Sequence, residues 1–222
     1  MNAIVRAESG LCRTTVGMSL YALKPRFQTF LRPLVAWLAA KRITANAVTV
    51  VATAGSVAIA CIVMWKADER LVFLLMPLWL FVRMALNAVD GMLAREFGQK
   101  SRLGAYLNEI GDVVSDAALY APFATVAPFG PIDVAAVIFL SILAEFAGVL
   151  GPLAGASRRY DGPLGKSDRA LVFGALACWI GFGGALPGPL FWLIPAIGLL
   201  LLVTTVNRVR AGLAEGVHGR IG

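Results

Sequence analysis

The sequence predicts an all-α integral membrane protein, with six transmembrane helices preceded by an amphipathic interfacial segment. Three observations carry that prediction. The 222 residues are 59% apolar and only 15% charged, with a mean hydropathy of +0.77, whereas a soluble domain has about 45–50% apolar and about 25% charged residues. Six nearly pure apolar stretches each reach roughly 17–25 residues, enough to cross a ~30 Å hydrocarbon core. Basic residues are concentrated in alternate connections between those stretches. The first two observations exclude a soluble α/β enzyme, a disordered chain and a disulfide scaffold.

Taken in order, residues 18–42 interleave Leu20, Leu23, Phe27, Phe30, Leu31, Leu34 and Trp37 with Lys24, Arg26, Arg32, Lys41 and Arg42. That pattern suits a segment lying on anionic lipid, with a soluble tail helix as the alternative; Pro25 and Pro33 are expected to interrupt it. The spans are predicted at 47–65, 71–93, 104–127, 133–154, 168–185 and 189–207, with Gly/Pro-rich punctuation at 128–131, 155–165 and 186–189. No internal repeat stands out. The chain reads as one membrane domain, 1–222: an interfacial, cytoplasmic segment 1–46, a six-helix core 47–207 and a cytoplasmic tail 208–222.

Seventeen of the twenty basic residues fall on the side of both termini, Lys66 and Arg70 on the other, and Arg83 inside a span. The positive-inside rule therefore predicts both termini in the cytoplasm. The formal charge of +7 is then a topology signal, and no nucleic-acid partner is expected. Cys12, Cys61 and Cys178 show no metal or redox spacing and read as free thiols. His218 is the single histidine, which disfavours histidine catalysis, and the first fifteen residues show no secretory leader pattern.

Hydrophobicity does not account for Arg83, Asn87, Asp90, Arg95, Asn108, Glu109, Asp112 and Asp116. Charges at membrane depth are costly and mark function. Asn87, Asp90 and Ala94 share one helical face; Gly104, Asn108, Asp112 and Asp116 share another. At ~1.5 Å per residue, Asp90 and Asn108 lie ~8 Å from the cytoplasmic ends, and Asn87 and Asp112 ~12–14 Å. Two antiparallel helices would bring these four oxygen donors to matching levels, a set that suits Mg²⁺, Mn²⁺ or Ca²⁺ rather than zinc. Gly91, Ala94 and Gly104 leave room beside them, and Arg95 adds a cation at the mouth, which is equipment for holding a diphosphate. The alternative is that the small residues serve helix packing and the carboxylates pair with arginines.

Asn87-x-x-Asp90-Gly91-x-x-Ala94-Arg95-x8-Gly104-x-x-x-Asn108-x-x-x-Asp112 resembles the signature of the CDP-alcohol phosphotransferases, D-x-x-D-G-x-x-A-R-x8-G-x-x-x-D-x-x-x-D. Six of its eight set residues match. The Ile43–Thr49 stretch is similar to the family's I-T-P-N-x-x-T, and the resemblance covers most of the chain. It implies a transferase that moves a phosphatidyl or related substituted phosphate from a CDP-linked lipid to an acceptor hydroxyl with release of CMP, in phospholipid biosynthesis. It further implies Mg²⁺ or Mn²⁺ at Asn87, Asp90, Asn108 and Asp112, with Asp112 as the catalytic base. CDP is expected at Asp90, Gly91, Ala94, Arg95 and Gly104. A homodimer in the inner membrane, with its site facing the cytoplasm, is also implied. Asn87 and Asn108 depart from the family's aspartates, so the site is expected to hold one ion or two. A catalytically silent relative, or less favoured a transporter, stays open as an alternative. Glu109 is a candidate to compensate for Asn108, although it lies ~100° around the helix.

Two further expectations concern charge. Arg83, Asp116 and Glu145 are predicted to form an ionic cluster beneath the site. The 157–169 loop, with Lys166 and Arg169 first and then Arg158 and Arg159, is expected to hold an anionic, phosphorylated acceptor.

Overall fold

The computed structural model describes the backbone of residues 20–218 and the side chains of residues 27–216. The leader reading, Cys12, Arg220 and the side-chain pattern up to Arg26 lie outside them. Among the described residues the fold is entirely helical: α1 (Leu20–Ala40), α2 (Ala45–Trp65), α3 (Leu75–Glu96), α4 (Arg102–Tyr120), α5 (Pro131–Val149), α6 (Lys166–Gly183) and α7 (Leu193–His218). Short 3-10 turns extend α3 and α7 at their starts and α4 and α5 at their ends.

Each predicted span coincides with one helix from α2 to α7. Four segments are long and apolar enough to cross a bilayer by composition: Ala45–Trp65, Arg70–Glu96, Pro131–Val149 and Gly188–Gly216. The other two, α4 and α6, fall short because they carry the charges that the bundle pairs internally.

Two helices differ from expectation. α1 runs unbroken through Pro25 and Pro33. Its Leu31 and Val35 are buried in a cluster with Ala45, Val48, Val89, Met92 and Leu93, and this tertiary packing overrides the proline signal. Phe30, Leu34 and Trp37 remain exposed. α1 ends on Arg42 in the left-handed region (φ 60°), with the amides of Arg42 and Ile43 bonded to Ala39 and Leu38 carbonyls, so that the chain turns sharply into α2. At the other end α7 continues to His218, where a tail had been expected from residue 208.

The second apolar cluster fills the far half of the bundle. Tyr120 stacks on Phe173 with centroids 4.0 Å apart, and Phe123 tilts against the same ring at 5.1 Å. The polar residues occupy the layer between the two apolar clusters.

Candidate active site

The N-terminus of α2 is built as a platform. Thr44 caps it by accepting from the Ala47 amide at 3.1 Å, and Gln99 Oε1 accepts from the Ala45 amide at 2.7 Å. Ser101 caps α4 through the Gly104 amide at 2.9 Å. α3 and α4 both pack on α2. A Cβ on Gly111 would meet Thr53 Oγ1 at 2.5 Å, and one on Gly104 would meet Asn46 Oδ1 at 2.7 Å; α4 approaches α2 this closely because those side chains are absent. The space that the sequence left open beside Gly104 is therefore taken by Asn46. At Gly91 the Arg95 guanidinium fills the corresponding place, 3.0 Å from where a Cβ would be.

Asp90 is 6% exposed and accepts from the Thr49 hydroxyl at 2.7 Å. It has no ion-pair partner among the described residues. The charges of both Asp112 and Lys166 act on it, so α4 and α6 both contribute charge to its surroundings. Asn87 lines a groove of about 450 Å³ between α3 and α6 with Arg83 and Lys166. Asn108 is half-buried on α4. Arg95 is exposed and, among the described residues, unpaired.

Asp112 begins a chain of charges that runs across the bundle. Its Oδ1 accepts from Lys166 Nζ and from Arg83 Nη2 at 3.2 Å; Arg83 Nη2 also donates to the Asp112 carbonyl at 3.2 Å. Arg83 Nη1 meets Asp116 Oδ1 at 2.6 Å. Arg169 Nη2 donates to Asp116 Oδ2 and Glu145 Oε1, both at 3.0 Å. Glu145 Oε2 is joined by Arg208 at 3.2 Å and Arg158 at 3.5 Å, and Arg158 closes on Glu109 at 2.5 Å.

The predicted ionic cluster exists, with one correction: Glu145 reaches Arg83 only through Arg169 and Asp116. Two other readings are corrected. Arg169, expected to face an acceptor, is 1% exposed, because the first turn of α6 directs it between two carboxylates. Glu109 is held by Arg158 and so does not stand in for Asn108.

Arg208, placed by the sequence in a tail, is 2% exposed and donates to the Ala144 carbonyl at 2.6 Å. Gly148 leaves it space, since a Cβ there would lie 3.3 Å from Arg208 Nη1. The only sequence signal for Arg208 was its continuation of an apolar helix. Thr49 was also missed as a site residue, although it closes the quoted Ile43–Thr49 stretch.

The loop before α6 is pinned to α7. Glu215 accepts from the Ser157 amide at 3.1 Å and pairs with Arg159, while Thr204 Oγ1 accepts from the Leu164 amide at 3.1 Å. Arg159 also holds Asp161 through two bonds, at 2.9 and 3.0 Å, and lowers the Asp161 carboxyl below its usual range. Arg158 lies over the Tyr160 ring at 4.4 Å. Each of the four cations expected to meet an acceptor thus has a carboxylate partner.

Among the described residues no three His, Cys, Asp or Glu side chains converge as a metal cluster, since two of the four signature positions carry amides. The donor set still fits a hard divalent cation. It is all oxygen, and Asp90 is a buried carboxylate that makes no ion pair with the described residues, a state that burial penalises.

Residues 42–210 match the family profile described as CDP-alcohol phosphatidyltransferase. The chain is 48% identical over 201 residues to inner membrane protein YnbA of Escherichia coli K12, covering 87% of this chain and 96% of that one. It is 28% identical over 205 residues to the phosphatidylinositol phosphate synthase of Streptomyces avermitilis, covering 85% and 81%. The fold matches crystal structures of the Mycobacterium tuberculosis phosphatidylinositol phosphate synthase at 20% identity. The TM-score is 0.68 for the form with CDP-DAG bound, over 81% of this chain and 92% of that one. It is 0.66 for the complex with manganese and citrate, over 81% and 87%.

Proposed function

Because this chain belongs to the CDP-alcohol phosphatidyltransferase family, we propose that it transfers the phosphatidyl group of CDP-diacylglycerol to an acceptor hydroxyl and releases CMP. The reaction takes place at the cytoplasmic face of the inner membrane, the side that the basic residues mark. The observation that carries this reading is the pair Asp90 and Asp112, brought together at the layer where α3 and α4 meet on α2, beside an exposed Arg95.

Asp90, Asn87, Asn108 and Asp112 would hold Mg²⁺ or Mn²⁺, which neutralises diphosphate charge when bound. The protein's own groups supply the rest. Thr49 fixes the Asp90 carboxylate, and Arg95 offers its guanidinium to the donor diphosphate at the rim. Arg83 grips both the side chain and the carbonyl of Asp112, so the carboxylate is oriented before any acceptor arrives. Asp112 takes the acceptor's proton as the new P–O bond forms, and the bond to CMP breaks with its electron pair left on the nucleotide. Gly91 and Ala94 keep this wall of the site low.

The acceptor side is the loop at 157–166. Arg158, half-buried beside Tyr160, is the cation best placed to meet an acceptor anion there, with Arg159 further out; Arg169 serves the fold instead. The assay is CMP release by the purified full chain with CDP-diacylglycerol, Mg²⁺ or Mn²⁺ and a panel of phosphorylated and neutral polyols. Release that depends on both donor and acceptor supports the reading. Absence of release with every acceptor favours the silent relative that Asn87 and Asn108 also allow.

A further inference from the structure

Two observations on the signature carboxylates do not match the symmetry of the motif. Asp90 is buried, accepts from a hydroxyl and makes no ion pair with the described residues, the Lys166 charge reaching it only beyond contact distance. Asp112 has two cations, Lys166 and Arg83, both on the same oxygen, Oδ1. The two amides at 87 and 108 leave these as the only negative charges among the four positions.

We propose that Lys166 takes the electrostatic place of a second metal ion, so that the site binds a single divalent cation centred on Asp90. The inference rests on the metal-dependent reading above. Two divalent ions would put four positive charges against two carboxylates, one of which Lys166 already matches. One divalent ion at Asp90, with the Lys166 ammonium at Asp112, brings positive charge to both carboxylates without a second ion. Asp112 Oδ2 accepts no hydrogen bond from the described residues and remains open toward ion or hydroxyl.

The position of Lys166 is fixed by the fold. Asp112 and Asp116 stand four residues apart on α4, and Lys166 and Arg169 three apart on α6, so that each pair presents one face. Arg169 locks into Asp116 and Glu145, and this rung carries Lys166 onto Asp112. Asp168 Oδ2 accepts from the Gly165 amide at 2.8 Å, which starts the helix at Lys166. The ammonium is thus delivered by the N-terminus of α6 and held there by an anchor one turn further along.

The test titrates Mn²⁺ alone into the full chain in lipid nanodiscs, reading free Mn²⁺ by electron paramagnetic resonance and heat by calorimetry. The wild-type protein should bind one Mn²⁺ per chain. Lys166→Gln should gain a second equivalent or bind the first about tenfold more tightly, as removal of a nearby positive charge requires, and Lys166→Arg should keep the wild-type pattern. If Lys166→Gln does not fold, Lys166→Met, which keeps the aliphatic stem, replaces it. Zero or two ions in the wild type overturns the proposal. So does an unchanged isotherm in the neutral variant, or a Lys166→Arg isotherm like that of Lys166→Gln. A CMP-release assay on the same samples separates the two ideas. One ion and the variant pattern without any turnover would sink the transferase reading and leave this one standing; turnover with two ions would do the reverse.

Discussion

The two ends of the buried polar layer are built on opposite terms. At the Glu145 end every carboxylate is matched by guanidinium groups from other elements: Asp116 by Arg83 and Arg169, and Glu145 by Arg169 and Arg208 from helices and Arg158 from the loop before α6. At the Asp90 end a carboxylate just as deeply buried accepts from a threonine hydroxyl and makes no ion pair with the described residues. A balanced buried network specifies how helices meet and gains little from any outside ligand. An unbalanced buried charge is costly to the fold and is relieved by a ligand of opposite sign. The contrast separates the part of the layer that assembles the bundle from the part to which the proposed chemistry is assigned, and Asp112 stands at the junction.

The comparison can be broken first at its reactive end. Asp90→Ala and Asp112→Ala should each lower CMP release by at least about 10²–10⁴-fold, the usual worth of a positioned acid–base group. Asp90→Ala should leave the thermal midpoint unchanged or higher, because it removes an unbalanced buried charge. A fall in the midpoint on that substitution would show that Asp90 belongs to the structural end. At the other end, Arg169→Leu should cost about 3–5 kcal/mol of stability, because it leaves Asp116 and Glu145 short of charge. Denaturation followed by tryptophan fluorescence, without any ligand, measures it. A smaller effect is expected at the rim: Arg158→Ala should raise the apparent acceptor KM several-fold while leaving the KM for CDP-diacylglycerol unchanged. The thermal midpoint should fall modestly, because Glu109 and Glu145 each lose an ion pair.

The smallest effect is on acid stability. Arg159 holds the Asp161 carboxyl below its usual range, so the pair's contribution is present above the unfolded pKa and is lost as the pH falls through the lower folded value. Asp161→Asn should flatten the slope of stability against pH over that acid interval and lower stability slightly at neutral pH, where the pair's contribution is fully present. An unchanged acid slope would place the 157–166 loop outside the coupled network.

Much of the site was legible because its residues keep fixed spacing along two helices. Asn87, Asp90, Asn108 and Asp112 could be placed on faces and at depths by counting, and so could the Arg83–Asp116 pairing. The acceptor loop was legible as a basic stretch but not as a set of roles. Its cations look alike in sequence, whereas in the fold Lys166 meets the signature carboxylate, Arg169 disappears into the core and Arg159 is tied to α7. Arg208 was unreadable for the same reason. A cation near the end of an apolar helix looks like a membrane-edge residue until a carboxylate from another helix is seen opposite it.

What the sequence determined alone is what depends on composition and local period: a membrane chain, six helical segments, the signature and its two amide departures. Hydrophobic length and helical spacing are properties of a single segment, so one segment suffices to read them. Only the tertiary structure decided which charge meets which. It also decided that α1 docks on α3 despite its prolines, and that Lys166 rather than Arg169 reaches Asp112. Those outcomes depend on the rotation and depth of one helix against another. They are fixed by the close approach of α4 to α2 at Gly104 and Gly111 and by the matched rungs of α4 and α6.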